Sequence, residues 1–174
     1  EDEKQEKLAE LREMFERLLP LRVEPDLRAL TVTITTLEPF PLVWLNEVLP
    51  ANTSGPLDNA GQRDPYIELF NSGTNAVDLS GFFLTDSYAD LTRWAFPQGT
   101  VLAAKGFLVV WADGEVAQSA ALAPHASFRL AATNGSVALV RPQGTPSGPA
   151  VMDHLDYGAI SPNRSYGSFP DGDP

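Results

Sequence analysis

Serine-type catalysis needs a histidine placed between a hydroxyl and an orienting acid, and this 174-residue sequence offers two histidines. His125 follows Pro124 in a loop of small residues. His154 lies between Asp153 and Asp156 on a strand-like run and is expected to point outward. No G-x-S-x-G elbow accompanies either, and isolated polar side chains mostly sit at the surface. Both histidines are therefore expected to be exposed, and no catalytic residue is assigned. The absence of cysteine excludes disulfides, thiolate metal sites and thiol catalysis. A phosphate cradle would need a Gly-rich loop opening a helix, with a lysine beside it. No such motif occurs, and Lys105 is the only lysine beyond Lys7.

The carboxylates are more suggestive. Glu47 and Glu68 each stand inside an apolar run. A carboxylate there either contributes to a ligand or metal site or accepts loop N–H groups, because a charge near a core must be hydrogen-bonded. Asp58, Asn59 and Asp64 share one loop, and Asp86/Asp90 and Asp113/Glu115 form pairs. Calcium needs several converging oxygens of this kind, so it is the one cofactor the pattern suggests. The run from Asp58 to Asp64 lacks the alternating ligands, central glycine and closing glutamate of an EF-hand, and turn or cap roles are the alternative. Phe82, Phe83, Trp94, Phe96, Phe107 and Trp111 suit either a carbohydrate platform or a core. Trp94 and Trp111 are expected inside. Trp44 and Tyr88 are expected at the surface, where they join Glu47 and Glu68 as candidate binding residues.

Short strands must position these residues. Residues 1–19 form an amphipathic helix: Leu8, Leu11, Phe15 and Leu18 make one stripe, and Pro20 ends it. A connector follows to residue 41, with Thr alternating against Leu30, Val32 and Ile34. From Leu42 the apolar runs are short and split by turns. Strands are expected at 43–49, 66–70, 82–85, 94–96, 107–112, 127–130, 136–141 and 151–157. The run 107–112 is nearly all apolar and reads as a central strand covered on both faces. Asn134-Gly135 is a tight hairpin signal. The 50–64 loop is longer than a hairpin needs, which marks it as a candidate functional loop.

Composition agrees. The hydrophobic fraction is 43%, with 13 Gly and 15 Pro placed between the short runs, as in an all-β domain. The net charge of −11 comes with no basic block, which argues against nucleic acid as a partner. No apolar run reaches spanning length, so direct membrane insertion is not expected. The sequence opens on charged residues without Met, and so reads as a fragment of a longer protein. The expected layout is a terminal helix and connector over 1–41, then a β-sandwich over 42–174.

Six pieces of the second region, in order, resemble the lamin tail domain family. They are L-N-E-V-L at 45–49, Y-I-E-L-F-N at 66–71, V-D-L-S-G-F-F-L-T-D at 77–86, R-W-A-F-P at 93–97, L-V-V-W-A-D at 108–113 and S-Y-G-S-F-P-D-G at 165–172. The D-L-S-G and W-x-F-P pieces look closer to bacterial members than to animal lamins. The resemblance implies an immunoglobulin-like sandwich without catalysis, serving as an interaction or structural module of a larger secreted or cell-envelope protein. The expected partner is another protein or a neighbouring domain. The alternative is a carbohydrate-binding or calcium-dependent adhesion module. Animal members are implied to bind chromatin, but this chain lacks a basic face. Family members often continue into a last strand, and Leu30 to Leu37 is suited to replace it. Pairing would be within the chain or by exchange with a second copy, which would make a homodimer.

Overall fold

The computed structural model describes residues 5–11, 13, 41–120, 122–145 and 148–172. The chain divides into two compact units, Glu1–Thr36 and Leu37–Pro174. In the first, residues 5–11 and 13 are helical, and Leu8 and Leu11 are 44% and 48% exposed. Phe15, Leu18 and the alternating run Leu30 to Leu37 lie outside the described residues.

The second unit is an immunoglobulin-like β-sandwich with ten strands among the described residues. In order they are β1 (Val43–Leu49), β2 (Tyr66–Asn71), β3 (Val77–Asp78), β4 (Phe83–Thr85), β5 (Trp94–Ala95), β6 (Val101–Leu102), β7 (Phe107–Trp111), β8 (Gly135–Thr145), β9 (Gly148–Tyr157) and β10 (Tyr166–Gly167). One sheet has the order β10-β1-β2-β7 and another β5-β4-β8-β9, while β3 and β6 form a small third sheet. Each pairing between these strands is antiparallel. The alternation seen in β2 is the pleat at work: Ile67, Leu69 and Asn71 are buried, while Tyr66, Glu68 and Phe70 are half-buried on the other face. The core joins Val43, Leu45, Val48, Ile67 and Leu69 of the first sheet with Leu84, Val137 and Leu139 of the second. Trp94 meets Phe96 edge-on at 4.8 Å between ring centroids. Both Trp94 and Trp111 are buried.

Two expectations need correction. β7 is not central: it is the last strand of its sheet, and Phe107 is 47% exposed. The strand covered on both faces is β8, flanked by β4 and β9, where residues 137–140 are all fully buried. Residues 127–130 make no strand either. They contribute a single bridge, Arg129 to Asp113, and one backbone bond from Leu130 N–H to Ala112 O at 3.0 Å. The hairpin of this half is β8–β9, with Thr145 opposite Gly148. Gly148 takes a φ of 113°, which glycine tolerates and other residues do not.

Candidate functional site

β1 is bent by one residue. Its register against β2 slips between Leu45 and Glu47, which makes Asn46 the extra residue of a β-bulge. The bulge divides the free edge of β1 into two parts. After it, Glu47 and Val48 pair with Gly167 and Tyr166 of β10. Before it, the Leu45 N–H donates to Asp153 Oδ2 of β9 at 2.7 Å, so a carboxylate stands where a strand partner would. A cavity of about 640 Å³ opens between these parts, lined by Trp44, Leu45, residues 153–156 and residues 166–169.

The walls of this groove are mixed. Trp44 is half-buried and donates its indole N–H to Ser72 Oγ at 2.8 Å. Tyr166 is 52% and Phe169 96% exposed. Outside the lining itself, Tyr88, 47% exposed, donates its hydroxyl to the lining Asp156 Oδ1 at 2.7 Å and sits edge-on to His154 at 6.2 Å. Burial and then the bond to Asp156 push its pKa up to about 12, so the phenol stays a donor at neutral pH. Apolar area with a few fixed polar groups is the usual make-up of a binding groove.

Glu47 and Glu68 face each other across β1 and β2. Glu47 Oε1 accepts the Tyr66 hydroxyl at 2.5 Å, and Glu68 Oε1 accepts Asn46 Nδ2 at 2.9 Å. Asn46 also donates to Asp171 Oδ1 at 3.1 Å and accepts the Gly172 N–H at 3.0 Å. The partners are therefore side chains, Asn46 at the bulge and Tyr66 on β2, not loop N–H groups. Burial raises the Glu68 pKa, opposed by the Asn46 bond and assisted by the charges of Glu47 and Asp171.

The five acidic-loop candidates are not brought to one point. Asp64 is bound to Arg129 at 2.7 Å and Asp86 to Arg93 at 2.7 Å. Asp90 accepts the N–H of Thr92 within its own turn. Asp58 and Asn59 go elsewhere, to Asp113 and His125. This corrects the expectation for His125, which is fully buried, whereas His154 is exposed. Nδ1 of His125 lies 2.6 Å from Asp113 Oδ2, and Nε2 lies 2.7 Å from Asn59 Oδ1. Asn59 Nδ2 donates to Gln118 O at 2.8 Å, which fixes its oxygen toward the ring. Burial is possible because both ring nitrogens find partners. A carboxylate of Asp58, one of Asp113 and a ring nitrogen of His125 all lie within 4.8 Å of one another. The sequence pairs Asp113 only with Glu115 and places His125 at the surface, and neither spacing nor motif links either residue to Asp58.

The Asp113–His125 pair has the acid and base of a triad without its nucleophile. The second ring nitrogen meets an amide oxygen, not a hydroxyl. The nearby Ser119 hydroxyl instead takes the backbone N–H of His125 at 2.8 Å. Among proteins of known kind, the family model described as Lamin Tail Domain matches residues 41–158. The match ends before β10, although β10 pairs with Glu47 and Val48 on the β1 edge. No curated protein matches the chain.

Proposed function

Because the chain belongs to the lamin tail domain family, we propose that it acts as a non-catalytic interaction module of a larger bacterial secreted or cell-envelope protein, holding an extended segment of a protein partner or a neighbouring domain. The groove between β1, β9 and residues 166–169 carries this reading. It combines a strand edge left short of partners with exposed aromatic side chains, and extended peptides are held by such edges and side-chain pockets together. Asp153 and Asp156 line it, and the whole chain carries −11. The segment that fits is therefore apolar with a lysine or arginine, whose charge is drawn to this surface. His125 Nε2 meets the Asn59 amide oxygen and not a hydroxyl, which supports a module without catalysis.

Selection from a displayed library of random peptides tests the idea. Peptides enriched on the wild type are expected to be rich in apolar and basic residues, and to lose at least about tenfold in affinity for an Asp156→Arg, Leu155→Glu variant, as loss of a groove anchor does. An Arg164→Ala variant, altered outside the groove lining, should bind them normally. Equal binding to the groove variant, with its fold intact by circular dichroism, would place the interaction surface elsewhere.

A further inference from the structure

We propose that Asp58, Asp113 and His125 form a site for one divalent transition-series ion, with zinc as the representative. It would tie the 50–64 loop to the end of β7 and to the segment carrying His125.

Three observations carry this. The first is burial: Asp58 is 9%, Asp113 6% and His125 0% exposed, yet their donor atoms converge within 4.8 Å. Surface acids cluster freely in water, whereas buried ones need either a shared proton or an opposing positive charge. The second is a stranded oxygen. Asp58 Oδ1 accepts the Ala60 N–H at 2.9 Å and the Gln62 N–H at 2.7 Å. Its other oxygen, Oδ2, is buried and has no hydrogen-bond partner among the described residues. An ionised oxygen without a partner is expensive to bury, and a cation supplies what is missing. The third concerns the neighbouring arginines: Arg63 bonds to Gly55 O and Arg129 to Asp64, so neither of these two is engaged with Asp58.

The donor set selects the ion. Two carboxylates and an imidazole suit zinc and its neighbours. Calcium takes six to eight oxygens and makes little use of a ring nitrogen. Metal entry would cost the cluster one internal hydrogen bond, at either Asp113 or Asn59, and would release to solvent the proton that the ligating ring nitrogen donated in it. In return the Asp58 oxygen gains a partner. If Asp113 keeps its bond to Nδ1, it fixes the ring and turns Nε2 outward, as carboxylates do for metal-bound histidines. The consequence is structural: the ion links residues that lie far apart in the chain, and so orders a long loop.

The experiment uses the full untagged chain, treated with EDTA and dialysed. Zinc chloride is titrated calorimetrically, and the melting temperature is followed with and without it. The wild type should take up about one zinc per chain and melt several degrees higher when loaded, by linkage. Asp58→Asn keeps the oxygen that accepts Ala60 and Gln62 but loses the second donor and the charge. It should fold without metal at least as stably as the wild type, and bind zinc about 100-fold more weakly. His154→Gln, altered at the exposed histidine, should bind normally. The proposal fails if the wild type takes up no zinc, if Asp58→Asn binds it as the wild type does, if His154→Gln abolishes uptake, or if calcium stabilises the chain and zinc does not. None of these outcomes bears on peptide binding in the groove, which involves other residues.

Discussion

Glu68 shows how a single position links burial to pH. It is half-buried opposite Glu47, and burial raises its pKa above the ordinary 4.5. The folded chain therefore holds this proton more tightly than the unfolded chain. The stability it contributes is full below the unfolded value near 4.5 and is lost as pH rises through the folded value. Glu68→Gln can still accept Asn46 Nδ2 and has no charge to bury. Its stability relative to the wild type should therefore climb as pH rises above the ordinary value of 4.5. Urea-unfolding midpoints measured across this rise in pH decide the matter; parallel curves for the two proteins would refute it. His125 gives the complementary lesson. A histidine among small residues looks exposed in the sequence, because its two partners, Asn59 and Asp113, lie 66 and 12 positions away.

Strand β10 has only two residues, yet it decides where the groove ends. Gly167 allows it to lie against β1. A Cβ on Gly167 would stand 2.1 Å from Asn46 O and 2.8 Å from Glu47 Cα. Both are backbone atoms, which cannot swing aside as a side chain can. Gly167→Ala should therefore part β10 from β1. The Ser168 N–H, which donates to Asn46 O at 2.9 Å, should exchange with solvent faster, and stability should fall on the order of 1 kcal/mol per lost bond. Unchanged exchange at Ser168 would show that the pairing tolerates the methyl group. The same strand logic explains β7 and β8. Both are apolar runs in sequence, but only β8 has a strand on each side. An apolar run reports that a strand is buried, not how many neighbours it has.

For the molecule as a whole, charge limits the choice of partner. From Leu42 to Pro174 the chain has six Lys and Arg against thirteen Asp and Glu. Of the six, Arg93 and Arg129 are paired with aspartates. Without a basic stripe there is little counterion release to drive binding to a phosphate backbone. The protein should pass through immobilised duplex DNA without retention at physiological salt. Retention that weakens steeply as salt is raised would overturn this.

What could be read directly from the residues is what local geometry controls. The strand expected at 66–70 forms as β2, whose pleat then turns every second residue inward. Turn residues marked where strands stop, and six short pieces in order pointed to the family and its sandwich. Glu47 and Glu68 stood out as carboxylates in apolar runs, and Asp58 and Asn59 as oxygen donors in a long loop. The neighbours of those residues could not be read this way. Asp58 meets Asp113 and His125, Leu45 meets Asp153, and Asn46 meets Asp171 only because particular strands lie side by side. Strand order is a property of the closed chain, decided by packing two sheets over one core. A period of two residues carries no information about a contact more than a hundred residues away.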